Sequence, residues 1–189
     1  MRYFSLAAQH RNNGWFLHPI TGNLHQTHNE NLAAFISRDL PEKIISALEY
    51  CDNPYKLLPP KFEFSHFFEE RNVISLQKIY RKILFLRRLN FFLVTMYAGQ
   101  ASPLFADSLQ AFFALNKIGY SAKTDPNGCL NRTLIAAKCS HKFQQAGVLF
   151  IGADLPQTRL HAWIIEDNYQ PDPWDRDWIN FLPLAAYIY

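Results

Sequence analysis

Apolar residues recur at every second position in some stretches of this chain and at every third or fourth in others, and the change of period marks out its elements. Residues 2–8 are apolar and aromatic and predict a strand. Gly14–Ile20 predicts a second, running into the turn-like Thr21-Gly22-Asn23, and Leu24–Thr27 a short third. Asn29 predicts a helix start, with Glu30 in the first turn and Leu32, Phe35 and Ile36 at helical spacing. Pro41 opens another helix, whose Ile44, Ile45 and Leu48 share a face. Asn53-Pro54 and Pro59-Pro60 break the chain. From Val73 to Met96, Leu76, Ile79, Tyr80, Ile83, Leu86 and Leu89 fall three or four apart and predict one long helix. Its basic side (Lys78, Arg81, Lys82, Arg87, Arg88) reads either as a solvated face or as a site for an acidic peptide or phosphate. Pro103 starts a helix with Phe105, Leu109, Phe112 and Phe113 inward, ended by Gly119. After the loop 124–128, a helical run from Leu130 to Phe143 follows Cys129 and is closed by Gly147. Val148–Ile151 and Arg159–Glu166 then read as buried strands. Loop, helix, strand, strand is an α+β pattern.

Composition narrows the class. Hydrophobic residues make up 49% of the 189 and charged residues 19%, which excludes a disordered, solvating chain. The net charge of +3 is too weak to argue for nucleic acid. Three cysteines cannot all pair within the chain, so a reducing compartment fits better than a disulfide scaffold. The apolar stretch 83–98 is interrupted by Arg87 and Arg88 and reads as a buried helix rather than a membrane span. The first residues lack a secretory pattern, and the expected location is the cytoplasm. No tight Cys/His spacing suggests zinc, and no glycine-rich phosphate loop suggests a nucleotide, so no cofactor is expected on this chain.

Candidate chemistry gathers in the last third. Cys129 stands at a helix start, where free backbone N–H groups and the helix dipole favour negative charge, and the thiolate is the attacking form of cysteine. Cys139 lies inside the same helix and Cys51 at the end of another, so neither has that setting. Position alone equally allows Cys129 to be a small buried residue. His161 is the best-placed base of the seven histidines: it lies on a strand with Trp163 and Ile165 on the same face, although a histidine on a strand is often structural. His18, His25 and His28 belong to the N-terminal strands, and His66 neighbours Phe67. An orienting acid is then needed. Asp172, after the turn Asp167-Asn168, is the first candidate; Asp175 and Asp177 are rivals, and surface solvation is the alternative for all three.

Cys129-Leu130-Asn131-Arg132-Thr133-Leu134, Gly147, Phe150-Ile151-Gly152-Ala153 and Leu160-His161-Ala162-Trp163-Ile164 resemble the transglutaminase-like cysteine proteases of lasso-peptide biosynthesis, the B proteins or leader peptidases. The likeness covers residues 129 to about 172. By layout and length, the N-terminal elements are similar to the winged-helix leader-recognition domain of proteobacterial members. The resemblance implies two domains: residues 1–75 for winged-helix-like leader recognition, and residues 76–189 for a helical middle and a transglutaminase/papain-like cysteine protease. It implies Cys129 as nucleophile, His161 as general base and Asp172 as orienter, although Pro171 and Pro173 flank that acid. The oxyanion hole would use the Cys129 backbone N–H, with Asn127 a candidate second donor. The implied activity removes the leader from a ribosomally made precursor peptide, so that a partner cyclase of the asparagine-synthetase type can close a macrolactam. Any ATP dependence would enter through that cyclase. The leader would add as a β-strand near Gly22–Thr27. Competing expectations are a transglutaminase-like amidase or acyltransferase on another substrate, and a non-catalytic peptide-binding adaptor with an inert Cys129.

Overall fold

The computed structural model describes residues 1–52, 70–119, 128–155, 157–175 and 177–189. The breaks expected at Asn53-Pro54 and Pro59-Pro60, together with His66 and Asn127, lie outside them. The described chain runs β1 (Arg2–Ser5), β2 (Ala8–His10), β3 (Asn13–Leu17), β4 (Leu24–His28), α1 (Asn29–Leu32) and α2 (Glu42–Asp52). It continues as α3 (Glu70–Leu89), α4 (Phe91–Ala98), α5 (Ser108–Lys117), α6 (Gly128–Cys139) and α7 (His141–Ala146), then β5 (Gly147–Asp154), β6 (Arg159–Glu166) and β7 (Leu182–Ile188). Two antiparallel sheets result: a larger one in the order β1-β7-β5-β6 and a smaller one in the order β2-β3-β4. At the level of class the fold is the expected mixture of helices and antiparallel strands.

Strand β5 lies inside the larger sheet, and its apolar run shows no polar alternation because both faces are covered. Val148 and Phe150 face one core, shared with Phe4, Trp163, Ile165, and Ile44, Ala47 and Tyr50 of α2. Leu149, Ile151 and Ala153 face the other, built with α3 to α7. Helix α6 is buried along nearly its whole length and packs on the edge strand β6. Thr133 pins the two together: its hydroxyl lies 3.1 Å from the Ala162 carbonyl oxygen of β6 and 2.6 Å from that of Cys129, and its single proton is shared between them. Glu166, fully buried at the far end of β6, accepts from the Ser108 hydroxyl at 2.5 Å and from Ser140 at 3.3 Å, tying β6 to α5 and α7. Burial pushes its carboxyl above the usual range, opposed by the Ser108 hydrogen bonds.

Polar caps divide what hydrophobic periodicity runs together. The long helix expected over 73–96 is two, because the Asn90 side chain accepts from Phe92 N–H at 2.6 Å and starts α4. The run 130–143 is likewise two, divided where Ser140 accepts from Phe143 N–H at 2.9 Å. The helix expected from Pro103 begins at Ser108, where Asp107 accepts from Gln110 N–H at 2.8 Å. Helix α1 is a single turn, with His28 rather than Asn29 at the N-cap position. Strand β7 had no counterpart in the sequence-based reading.

Elements on the two sides of the boundary expected at residue 75 pack together. β1 pairs with β7 over four residue pairs, and α2 covers one face of β5 and β6. Leu6 and Ala7 then donate to Leu184 O, and the chain turns through Ala7 (φ 47°) into the smaller sheet. Residues 1–5 and 42–52 therefore build the same sheet and core as the C-terminal strands. Among the described residues no helix is long and apolar enough to cross a membrane.

Candidate functional site

Cys129 sits in the first turn of α6, half-buried, where backbone N–H groups have no acceptor one turn earlier in the helix. His161 lies near the start of β6, across from Gly152 of β5. Packing of α6 along that edge strand sets the imidazole beside the Cys129 side chain, near enough for the sulfur to act on it. Its Nε2 is 2.8 Å from Oδ2 of Asp175, which leaves Nδ1 as the nitrogen able to exchange a proton with the sulfur. The ring is held between Phe181, with centroids 4.8 Å apart, and Trp163, at 6.1 Å and nearly parallel. It is thus fixed in rotation as well as in place.

Burial alone lowers the basicity of the His161 ring. The hydrogen bonds to Asp175 and Cys129, and the charges of both, more than reverse this and raise its pKa to about 10. These contacts favour the protonated imidazole. Burial pushes both the Cys51 and the Cys139 thiol up to about 12.

The acid beside His161 is Asp175 and not Asp172, a correction to the expected assignment. The Asp172 carboxylate is engaged elsewhere: Arg132 Nε and Nη2 donate to it at 2.6 and 2.9 Å, and Trp174 N–H donates at 3.1 Å. Burial is the larger influence on this carboxyl and raises its pKa, with the guanidinium opposing. Asp172 opens a turn closed by the Asp175 N–H donating to its carbonyl at 3.2 Å, and Asp175 emerges from that turn facing His161. The sequence carried this signal: Asp followed by Pro is the favoured start of such a turn, which assigns Asp172 to the turn and the residue three further on to its exit. Asp177 stands at the N-cap position of the 3-10 turn Trp178–Asn180. Arg132 was missed as a functional candidate, although it lies three residues beyond Cys129 and hence one helical turn away.

Of the other described histidines, His18, just past β3, and His25 of β4 have their rings 5.4 Å apart, and His25 stacks on Phe16. Among the described residues there is no group of three His, Cys, Asp or Glu side chains that could hold a metal ion. Comparison with family models, with curated proteins and with solved structures finds no match to this chain.

Sulfur, imidazole and carboxylate in sequence, on a helix start, an edge strand and a tight turn, can carry out nucleophilic acyl transfer. The imidazole is within reach of the sulfur, and the carboxylate fixes its tautomer and orientation.

Proposed function

We propose that this chain is a cysteine peptidase using Cys129, His161 and Asp175. The observation that carries the reading is the His161–Asp175 hydrogen bond on the edge strand against which α6 packs, with the Cys129 sulfur in the first turn of that helix beside the imidazole. The Cys129 sulfur adds to the scissile carbonyl, and the resulting oxyanion is stabilised by the Cys129 backbone N–H. Protonated His161 gives its proton to the departing amine, leaving a thioester on Cys129. Water, deprotonated by His161, then attacks the thioester carbonyl, releasing the acid and the Cys129 sulfur and leaving His161 protonated again.

The motif resemblance supplies the substrate class: a ribosomally made lasso precursor, cut after its leader so that a separate cyclase can act on the freed amine. The smaller sheet is the proposed leader-docking element, because β4 pairs only with β3 among the described residues. An extended segment could add there through main-chain hydrogen bonds.

The test is incubation of the purified protein with a synthetic lasso precursor peptide, with and without an asparagine-synthetase-type cyclase, followed by mass spectrometry. Leader and core fragments that disappear in Cys129→Ala are the expected result. An intact precursor in both mixtures would overturn the substrate assignment.

A further inference from the structure

Residues 170–177 contain no helix or strand among those described, yet this stretch carries the acid that faces His161. Such a segment needs tertiary ties to hold one conformation, because ordering each free residue costs roughly 1–2 kcal/mol. Arg132 and Asp172 supply an unusually directional one. Their side chains are 8% and 9% exposed, and the guanidinium meets the carboxylate through two hydrogen bonds. The guanidinium carbon also lies 4.9 Å from the Phe112 ring centroid and 5.0 Å from that of Trp174, so aromatic rings of α5 and of the turn itself fix its plane. Asp172 passes this constraint along the turn: its carboxylate accepts from Trp174 N–H and its carbonyl from Asp175 N–H.

These contacts close a ring of positions. From Cys129, one turn of α6 leads to Arg132; the ion pair leads to Asp172; the turn leads to Asp175; and Asp175 meets His161, which returns to Cys129. We propose that the Arg132–Asp172 pair is a positioning device that sets Asp175 against His161 from the nucleophile's own helix. The inference rests on the proposed peptidase reading for its catalytic meaning, but its geometric claim stands apart from any substrate. A buried ion pair is a poor source of stability, since desolvation offsets its attraction, whereas a forked arginine gives the orientation that a lysine cannot.

The experiment compares wild type with Arg132→Lys, Asp172→Asn, the double variant Arg132→Met with Asp172→Asn, and Asp175→Asn. The double variant removes both charges together and strands neither. Each protein is checked by circular dichroism and thermal melting. His161 is then titrated by NMR, and the rate of Cys129 alkylation by iodoacetamide is followed against pH. In folded Arg132→Lys and in the double variant, the His161 titration should move down from about 10 toward that of Asp175→Asn. The alkylation profile should move with it, and cleavage of the precursor should slow about 10- to 100-fold. A pair that is merely structural would lower the melting temperature and leave the titration at its wild-type position; that result in either folded variant overturns the proposal. Variants whose His161 titration moves down from the wild-type position, alongside wild-type protein that cuts nothing, would sink the peptidase reading and leave the positioning claim intact.

Discussion

Cys129 differs from the other two thiols in what surrounds it. Cys51 and Cys139 are held as thiols by burial, at about 12, whereas Cys129 is half-buried at a helix start beside the edge strand that carries His161. Iodoacetamide near neutral pH should therefore modify Cys129 first, as read by peptide mapping. Cys129→Ala should abolish cleavage, a loss on the order of 10⁶ in turnover for a nucleophile that works as a unit with its base, while Cys51→Ala and Cys139→Ala keep it. Equal labelling of all three thiols would contradict the assignment. Asp175 permits a second prediction. Raising the pKa of His161 from 6.5 to about 10 means that the folded protein holds this proton more tightly than the unfolded chain. The stabilisation is complete below 6.5 and is lost as pH rises through 10. Asp175→Asn should flatten the decline in unfolding free energy between those limits and move the alkaline limb of activity to lower pH; denaturant melts at several pH values read the first effect. Cys129 and His161 were legible because their signals are local, a helix start and a strand position. The Asp172-Pro173 turn signal favours Asp175, but the reason Asp172 is engaged elsewhere lies in Arg132, forty positions earlier in the chain, whose guanidinium takes its carboxylate. Spacing along a sequence does not contain that pairing.

At the level of elements, apolar spacing located the helices around Leu76, Phe112 and Leu134 and the strands β5 and β6, because burial imposes its period directly on the sequence. It failed at Asn90 and Ser140, where the apolar spacing continues but a side-chain cap breaks the backbone. It also failed for β7, whose Leu-Pro-Leu-Ala-Ala-Tyr-Ile follows an irregular stretch and carries a proline at its start, an unusual residue in a strand flanked on both sides. The register of β5 against β7 shifts between Ile151 and Gly152. A Cβ built at Gly152 would lie 2.4 Å from the Leu182 carbonyl oxygen and 2.7 Å from Trp163 Cη2. Neither neighbour is the free end of a flexible chain: one is backbone of the adjacent strand, the other a buried ring packed on His161. Gly152→Ala should thus force β7 and Trp163 apart and destabilise the fold by about 1–3 kcal/mol, measured by denaturant unfolding. Because Gly152 pairs with His161 in the sheet, the same variant should also slow alkylation of Cys129. An alanine variant of wild-type stability would mean that the strands accommodate the methyl by sliding, and the close approach would have no role in holding His161.

Across the whole molecule, the candidate site depends on residues far from it in sequence. The face of the larger sheet carrying Phe150, Trp163 and Ile165 is covered by Ile44, Ala47 and Tyr50 of α2, and Phe4 of β1 completes the same core. Trp163 in turn flanks the His161 ring, so the N-terminal segment supports the base through one intervening side chain. The opposite core takes Leu17 from the smaller sheet, whose carbonyl accepts from the Tyr3 hydroxyl at 2.7 Å. Cutting the chain at residue 75 would leave the 76–189 fragment with an unpaired β7 edge and one uncovered sheet face. Burial of a large apolar side chain contributes about 1.5–3 kcal/mol, and Phe4, Leu17, Ile44 and Tyr50 would all be lost, along with the cover they give to Phe150 and Trp163. That sum is comparable to the roughly 5–15 kcal/mol by which a domain is stable. The fragment 76–189 should therefore lack a cooperative melt and near-ultraviolet circular dichroism, and its Cys129 should lose its preference over Cys139 in iodoacetamide labelling. Mixing it with a separately produced 1–75 segment should restore both signals, since the missing strand and helix bring back the contacts without a covalent link. A fragment 76–189 that melts cooperatively and labels at Cys129 like the full chain would show that the C-terminal part folds alone, and the support running from α2 through Trp163 to His161 would then be dispensable.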